Sequence, residues 1–289
     1  MTPNRPEPTP ADGTSPTARA LRPVPVDGTV RSWSALLTML AGHGAAVGRA
    51  SVDDWAQPAG LPGDGRALLG SEAPRFHAMR DSGVRRRFAA SRRLVKHLAG
   101  AALSVAPEDL DLVPDRNGRP CLDGYPWLDV NLSHTGDLLV AGFAWHRRIG
   151  VDVERSRRPV TGVRTEALIC TPQERALLRG LPPERRNALL IQLWTLKEAF
   201  VKATGSGLRH PFPSIGFDLD SPEGVRLLSG VPATTATRWL FETLETHDPA
   251  GRHRVSIALA PTDIPGHAER PPATDSTDRR VLRAYHEEA

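Results

Sequence analysis

Two short stretches of the chain combine carboxylates and lysines at spacings that could hold a metal ion and move a proton. Residues 150–154 read Gly-Val-Asp-Val-Glu, and residues 194–202 read Trp-Thr-Leu-Lys-Glu-Ala-Phe-Val-Lys. Among 37 basic residues the chain has only three lysines, and two of them, Lys197 and Lys202, lie in the second stretch. An ammonium group can shift its pKa and move a proton, whereas a guanidinium cannot. This preference for arginine elsewhere in the chain therefore indicates that arginine cannot replace these two lysines.

The first stretch predicts a strand with two carboxylates on one face. Side chains at i and i+2 of a strand point the same way, so Asp152 and Glu154 project together while Val151 and Val153 face the core. Two neighbouring carboxylates repel each other unless a cation lies between them, and Mg²⁺ is a hard cation that prefers such oxygens. The alternative is a solvated strand face next to Arg155.

The second stretch predicts a helix with a third carboxylate. Trp194, Glu198 and Lys202 lie on one stripe at i, i+4 and i+8. The alternative interpretation is a surface ion pair worth only ~0.3–0.5 kcal/mol. The tryptophan indicates, however, that the stripe is partly buried, and a buried glutamate needs a partner. A metal ion held by Asp152 and Glu154 would serve.

Two turns carry further candidates for phosphate binding. Ser133 and His134 follow a short predicted strand, where a hydroxyl, an imidazole and backbone amides can receive phosphate; the alternative is an ordinary loop histidine. Residues 116–120 read Arg-Asn-Gly-Arg-Pro, in which Asn-Gly marks a turn. The spacing imposes no Ser-His-Asp nucleophile arrangement.

The elements that must position these residues alternate along the chain. Apolar periodicity predicts a helix over 89–103 with a basic polar face. Thr171 before Pro172 and Glu174 predicts a helix start, and 185–204 is the longest helix candidate, closed by glycines. Strands are predicted at 130–132, 138–145, 149–153, 215–219, 237–244 and 254–259. This mixed order favours an α+β fold.

Composition limits the class of protein. The chain has 289 residues, and its first 30 residues, like 263–289, read as Pro-rich tails without apolar periodicity. Neither a secretory signal nor a membrane span is expected. Cys121 and Cys170 have no metal spacing and are expected to be free thiols in the cytoplasm; one disulfide between them is the alternative. The net charge of +4 and pI near 9.6 favour an acidic partner or a phosphate-rich ligand.

These motifs together resemble a known family. Arg-Arg-Phe at 86–88, Gly-Arg-Pro at 118–120, Asn-Leu-Ser-His-Thr at 131–135 and the two stretches above occur in the order seen in 4′-phosphopantetheinyl transferases. The chain resembles the long, monomeric type that activates peptide and polyketide synthases. The resemblance runs from about Arg75 to Leu259 and implies two similar α+β halves, 31–148 and 149–262, related by a pseudo-two-fold axis. The second half would carry the metal site.

The resemblance implies an activity and assigns roles to residues. The enzyme would transfer phosphopantetheine from coenzyme A to a serine of an acyl or peptidyl carrier protein, with Mg²⁺ held by Asp152, Glu154 and Glu198. Residues of both halves are implied to bind coenzyme A: Arg86 and Arg92 near the 3′-phosphate, Gly118, Arg119 and Pro120 beside the adenine, Ser133 and His134 at the phosphates, Lys202 at the pyrophosphate, and Lys197 within the motif. Glu198 is expected to act as the base for the serine and Lys202 to stabilise the departing bisphosphate.

The chain departs from the family pattern at two positions. Arg119 replaces a lysine that is more usual in the turn, and Cys170 stands where an aromatic residue or arginine is expected. We expect the chemistry to be unaffected by either.

Three rival interpretations share part of the pattern. The arginines over 85–93 would suit a nucleic-acid-binding protein, but the chain lacks a docking motif. A Mg²⁺-dependent phosphotransferase or phosphate-ester hydrolase would share the carboxylates and need no carrier. A degenerate relative would bind carriers without catalysis. The carrier partner is expected to meet the segment 161–190, which is apolar with basic edges; an ordinary amphipathic helical region is the alternative.

Overall fold

The structure, a computed structural model, describes residues 21–56, 67–160, 163–232, 236 and 238–261. These residues form seven α-helices: α1 (Val30–His43), α2 (Val52–Ala56), α3 (Ala73–Ala78), α4 (Ser82–Leu103), α5 (Val163–Ile169), α6 (Pro172–Leu178) and α7 (Pro183–Thr204). They also form eleven strands: β1 (Val24–Pro25), β2 (Ala45–Ser51), β3 (Leu112–Pro114), β4 (Pro120–Leu122), β5 (Leu128–Thr135), β6 (Leu138–Trp145), β7 (Ile149–Arg155), β8 (Gly216–Asp218), β9 (Arg226–Ser229), β10 (Leu240–Asp248) and β11 (Gly251–Leu259).

The first sheet has the strand order β1-β2-β6-β5, and all its pairs except β1-β2 are antiparallel. β5 and β6 form a tight hairpin in which Thr135 lies opposite Leu138. One face of this sheet packs against α1, α2 and α4 through a core that includes Leu36, Leu94 and Phe143.

The second sheet is antiparallel and has the order β10-β11-β7. One face is covered by α7, where Phe200 packs with Phe241 and Ala258. Its other face packs against the first sheet through a core of mainly aliphatic residues, among them Val140 and Ile257. The described chain is therefore layered as helices, sheet, sheet and helix, and the α+β prediction is confirmed. The short pairs β3-β4 and β8-β9 lie outside these two sheets.

The two halves repeat one connectivity. In the first half, β2 precedes the 22-residue helix α4 and the hairpin β5-β6, whose second strand pairs antiparallel with β2. In the second half, β7 precedes the 22-residue helix α7 and the hairpin β10-β11, whose second strand pairs antiparallel with β7. Similar halves are thus seen in the order of elements. The pseudo-two-fold axis and the boundary at 148/149, which falls between β6 and β7, stay predictions.

The N-terminal tail prediction was wrong for its last residues. Leu21 is fully buried in the core between the sheets, Val26 is buried beneath α1, and β1 pairs with β2. The segment is too short and proline-flanked to show an apolar period, so its anchoring is invisible in the pattern. Residues 1–20 and 262–289 lie outside the described residues, with the rest of both predicted tails. No helix in the described part of the chain is long and apolar enough to cross a membrane.

Candidate active site

The site depends on an unusually close contact between α7 and β7. A Cβ atom built on Gly150 would lie 1.9 Å from the Ala199 carbonyl oxygen and 2.6 Å from the Ala203 nitrogen. No side chain fits there, so glycine allows the helix to lie directly on the strand. The contact brings the helix residues Glu198 and Lys202 beside the strand residue Asp152.

Lys202 and Asp152 form the centre of the site. The Lys202 ammonium donates to Asp152 Oδ1 at 2.6 Å, to Ser133 Oγ at 3.1 Å and to the Val151 carbonyl at 3.2 Å. Ser133 Oγ in turn donates to Asp152 Oδ1 at 2.9 Å. Residues from β5, β7 and α7 therefore meet at one carboxylate, and both halves of the chain contribute.

Polar side chains of β5 hold β7 in place. Asp129 accepts the Ile149 N–H at 2.8 Å, Asn131 accepts the Val151 N–H at 2.8 Å, and Ser133 accepts the Val153 N–H at 3.3 Å. These side chains occupy alternate positions, so they share one face of β5. They satisfy buried backbone donors of β7, which would otherwise be costly to leave unpaired. The contacts fix the strand that carries Asp152 relative to the first half.

Electrostatic coupling links three carboxylates to Lys202. Burial, together with the smaller effects of the Asp152 and Glu154 charges, raises the pKa of Glu198 to about 7 against the opposing charge of Lys202. Burial and the Asp152 charge raise the pKa of Glu154, although Arg158, which donates to it at 2.8 Å, opposes the shift. Burial lowers the pKa of Lys202, but Asp152 and Glu198 outweigh it and the net pKa is raised. The cluster carries more negative charge than its cations balance.

The predicted magnesium shell is not preassembled. Within the described residues, no group of three or more His, Cys, Asp or Glu side chains is arranged to hold a metal ion. Lys202 pairs with one oxygen of Asp152 and Arg158 with one of Glu154, so cations of the protein hold two of the oxygens that a metal ion would use. The donor chemistry nevertheless fits a hard cation. Asp152 Oδ2 is buried without a hydrogen-bond partner in the described chain, and a divalent ion would satisfy it.

Ser133 and His134 are separated by the strand that carries them. Both lie within β5 and not in a turn after it, which corrects the sequence interpretation. Ser133 is buried and faces Asp152. His134 is exposed and points to the opposite face of β5, since successive side chains alternate. The structure brings only Ser133 to the cluster.

The two arginines predicted near the 3′-phosphate have protein partners on α2 and before α3. Arg86, which is half exposed, pairs with Asp53. Arg92 is buried, donates to both oxygens of Glu72 at 2.5 and 2.6 Å, and lies 4.2 Å above the Phe88 ring. These partners, Asp53 and Glu72, do not belong to the Lys202 cluster.

The Gly-Arg-Pro turn is present, but its arginine is a buried link between the halves. Gly118 has a φ of 82°, the left-handed conformation that the turn requires, and Pro120 begins β4. Arg119 binds both oxygens of Asp129, with Nη2 at 2.6 Å from Oδ2. Its Nη2 also donates to the Ile149 carbonyl at 2.8 Å and its Nε to the Lys202 carbonyl at 2.9 Å. The Arg119 side chain is therefore committed to protein partners.

Lys197 lies on the other side of α7 from the cluster. Its ammonium donates to the Ile169 carbonyl at 2.7 Å, to Glu174 at 2.5 Å and to the Phe212 carbonyl at 3.2 Å, and its side chain is fully buried. All three donor protons have protein acceptors. The expectation that Lys197 contacts coenzyme A is therefore not supported, and we assign it to the packing of α7 against α6.

Sequence reasoning missed three residues around the cluster. Asp129 and Asn131 hold β7, and Arg158 neutralises Glu154. A signal for the first two existed, because polar residues alternate with Val130 and Leu132 along β5. Arg158 is one of several arginines in its segment and carries no distinguishing pattern.

Comparison with known proteins supports the family that the sequence motifs indicate. Residues 148–259 match the sequence model of the 4′-phosphopantetheinyl transferase superfamily. This part of the chain, which includes β7, α7 and the carboxylates, belongs to that superfamily.

Two relatives, compared by sequence, agree with this assignment. The chain is 35% identical over 128 residues to the 4′-phosphopantetheinyl transferase HetI of Nostoc sp. strain PCC 7120, covering 43% of this chain and 54% of that protein. It is 31% identical over 121 residues to the 4′-phosphopantetheinyl transferase psf-1 of Bacillus pumilus, covering 42% and 51%. The alignments with these relatives thus span about half of their length. A holo-[acyl-carrier-protein] synthase structure from Thermotoga maritima matches with a TM-score of 0.31 and 25% identity, over 39% of this chain and 62% of that one.

Proposed function

We propose that the protein transfers the 4′-phosphopantetheine group of coenzyme A to a serine hydroxyl of an acyl or peptidyl carrier protein and releases adenosine 3′,5′-bisphosphate. The observation that carries this proposal is the partly buried contact of Lys202 with Asp152, next to the charges of Glu154 and Glu198, within the segment that matches the superfamily. The carriers would belong to polyketide, nonribosomal peptide or fatty acid synthases. We expect a monomer that works in the cytoplasm.

The side chains of the site suit the charge changes of this reaction. The serine oxygen attacks the β-phosphorus, and the bond from that phosphorus to the bridging oxygen breaks. Glu198 receives the serine proton, because a carboxylate with a raised pKa is a better base near neutral pH. Lys202 is placed to balance the negative charge that develops on the departing bisphosphate.

Asp152, Glu154 and Glu198 would hold Mg²⁺, which when bound stabilises negative charge on the phosphate oxygens. The unpaired Asp152 Oδ2 and the excess of carboxylates support this assignment. Ser133 orients Asp152 through its hydroxyl. Because the Arg119 guanidinium is occupied, we propose that the turn at 115–120 meets the adenine through its backbone.

The reaction class is tested by the mass of the acceptor. A recombinant apo carrier protein is incubated with the protein, coenzyme A and Mg²⁺, with and without a chelator, and its intact mass is measured. We expect the gain of one phosphopantetheine group, abolished by the chelator. An unmodified carrier with cleaved coenzyme A would instead favour the hydrolase, and an unmodified carrier with intact coenzyme A across several carriers would contradict transfer.

The role of Glu198 is tested by Glu198→Gln. The amide cannot accept the serine proton, so we expect turnover to fall by at least about 10²-fold, while coenzyme A binding measured by calorimetry is largely kept. Glu184→Gln, which removes an exposed carboxylate from the first turn of the same helix, is the matched control and should stay active. Near-normal turnover of Glu198→Gln would exclude a proton-transfer role.

A further inference from the structure

Arg158 holds one of the oxygens that a metal ion at the site would use. Its Nη1 atom donates to Glu154 Oε1 at 2.8 Å, and Glu154 lies near the end of β7. The side chain of Glu154 is 14% exposed, whereas that of Arg158 is 32% exposed. The contact therefore joins a mostly buried carboxylate to a cation that reaches solvent.

The backbone next to Arg158 is fixed, while its side chain has room to move. Asn187 of α7 accepts the Val160 N–H at 2.8 Å and donates to the Arg158 carbonyl at 2.9 Å. Within the described chain the guanidinium has one hydrogen bond, the contact with Glu154, out of five possible donors. Arg158 also lines a cavity of about 680 Å³ beside Glu154. Its side chain can therefore leave Glu154 by rotating about its own bonds, without movement of the backbone.

The charges of the site balance best when a divalent ion replaces Arg158. Three carboxylates, those of Asp152, Glu154 and Glu198, lie within electrostatic reach of the Lys202 ammonium. When all three are ionised, Lys202 and one divalent ion neutralise them completely. Arg158 in addition would leave a surplus of positive charge where the ion binds, and like charges repel strongly in a poorly solvated site.

We propose that Arg158 is an exchangeable counter-ion of the metal site: it pairs with Glu154 while no metal ion is bound, and a divalent ion displaces it. The inference rests on the metal assignment in the proposed function and adds a residue that sets the affinity of the site. Glu154 keeps a cationic partner in both forms, because a buried charge without a partner is costly. The loss of the Arg158 contact offsets part of the binding free energy of the metal, so Arg158 weakens metal binding.

The exchange is tested by the affinity of the protein for Mn²⁺, measured by electron paramagnetic resonance without coenzyme A or a carrier. Arg158→Gln removes the competing cation, so the dissociation constant for Mn²⁺ should fall about fivefold. Arg157→Gln is the matched control, because Arg157 is the exposed neighbour and the change in net charge is the same. Its dissociation constant should stay within about twofold of the wild-type value, since solvent and salt screen its charge. Equal tightening in both variants would show an effect of net charge alone and contradict the exchange.

Thermal unfolding tests the displacement itself. In chelator, Arg158→Gln should lower the Tm by about 2–4 °C, because Glu154 loses its partner. In saturating Mg²⁺ the variant and the wild-type protein should unfold at the same temperature, because the ion has replaced Arg158 in both. A loss of Tm of the same size in chelator and in Mg²⁺ would show that Arg158 stays on Glu154 beside the ion, and would contradict the displacement.

The remaining outcomes separate this inference from the proposed function. Weaker or unchanged Mn²⁺ binding by Arg158→Gln would contradict the inference alone. Absence of Mn²⁺ binding by the unmodified protein would contradict the metal assignment, and with it the inference. Transfer of phosphopantetheine to an apo carrier, measured on the same preparation, tests the proposed reaction separately.

Discussion

At the level of one residue, the negative charge of ionised Glu198 is unfavourable in its surroundings. It lies beside Asp152 and Glu154, and its carboxyl group is poorly solvated. The single ammonium of Lys202 is shared with Asp152, which it contacts directly. The ionised form of Glu198 is therefore costly in the folded, metal-free protein.

This cost makes stability depend on pH. The pKa of Glu198 is about 7 when folded and near 4.5 when unfolded, so folding favours the protonated form. The stabilisation is fully present below about pH 4.5 and is lost as pH rises through about 7. In chelator, the Tm of the wild-type protein should fall more between pH 6 and pH 8 than that of Glu198→Gln, whose amide does not titrate. Parallel Tm profiles would contradict the assignment.

At the level of elements, the contact of α7 with β7 makes the site. Gly150→Ala would drive a methyl group into the Ala199 carbonyl and force the helix away from the strand. We expect a loss of roughly 3 kcal/mol in the free energy of unfolding from overpacking. A displacement of about 1 Å between Lys202 and Asp152 should also lower turnover about a hundredfold.

Gly42→Ala is the control for Gly150→Ala. Gly42 lies in the exposed last turn of α1 with open space around its Cβ position, so alanine should stabilise the helix by about 0.5–1 kcal/mol. Urea denaturation of both variants and a transfer assay provide the measurements. A Gly150→Ala protein as stable and active as the wild type would show that the backbone contact can relax without cost.

Elements with a strong local pattern were predictable from the sequence. β6 was predicted with its observed bounds, and α7 begins two residues before the predicted start at Arg185. The capping box of Thr171 and Glu174 confirms the predicted start of α6. β5 was predicted too short, because Ser133 and Thr135 are polar residues that face β7 and not solvent. Strand propensity does not report such a neighbour, which is distant in sequence.

At the level of the whole molecule, Arg119 connects the two halves beneath the site. It joins the turn before β4 to Asp129 on β5, to the start of β7 and to the end of α7. Its guanidinium and the Asp129 carboxylate are each about 5% exposed or less. The sequence could place Arg119 in a turn, but its buried partners come from three other elements and follow from no local rule.

Removing the contact of Arg119 with Asp129 should destabilise the whole folded molecule. Arg119→Ala leaves the buried Asp129 carboxylate with the Ile149 N–H and with one more distant cation in the described chain, Arg148, 3.7 Å away. We expect a cost of about 3 kcal/mol in unfolding free energy. Arg119→Lys keeps the charge but not the forked geometry, so its free energy of unfolding should lie between those of the wild-type protein and Arg119→Ala. Chemical denaturation measures both. A change below about 0.5 kcal/mol, typical of an ordinary surface substitution, would contradict the role of the link.

The scarcity of lysine also makes the site open to selective chemical labelling. The side chains of Lys96 and Lys197 are fully buried, whereas that of Lys202 is 26% exposed. An amine-directed reagent should therefore modify Lys202 before the other two lysines, and faster at alkaline pH because its pKa is raised. Peptide mapping after labelling, with and without coenzyme A, would show whether bound coenzyme A protects Lys202, a single known position in the Lys202 cluster.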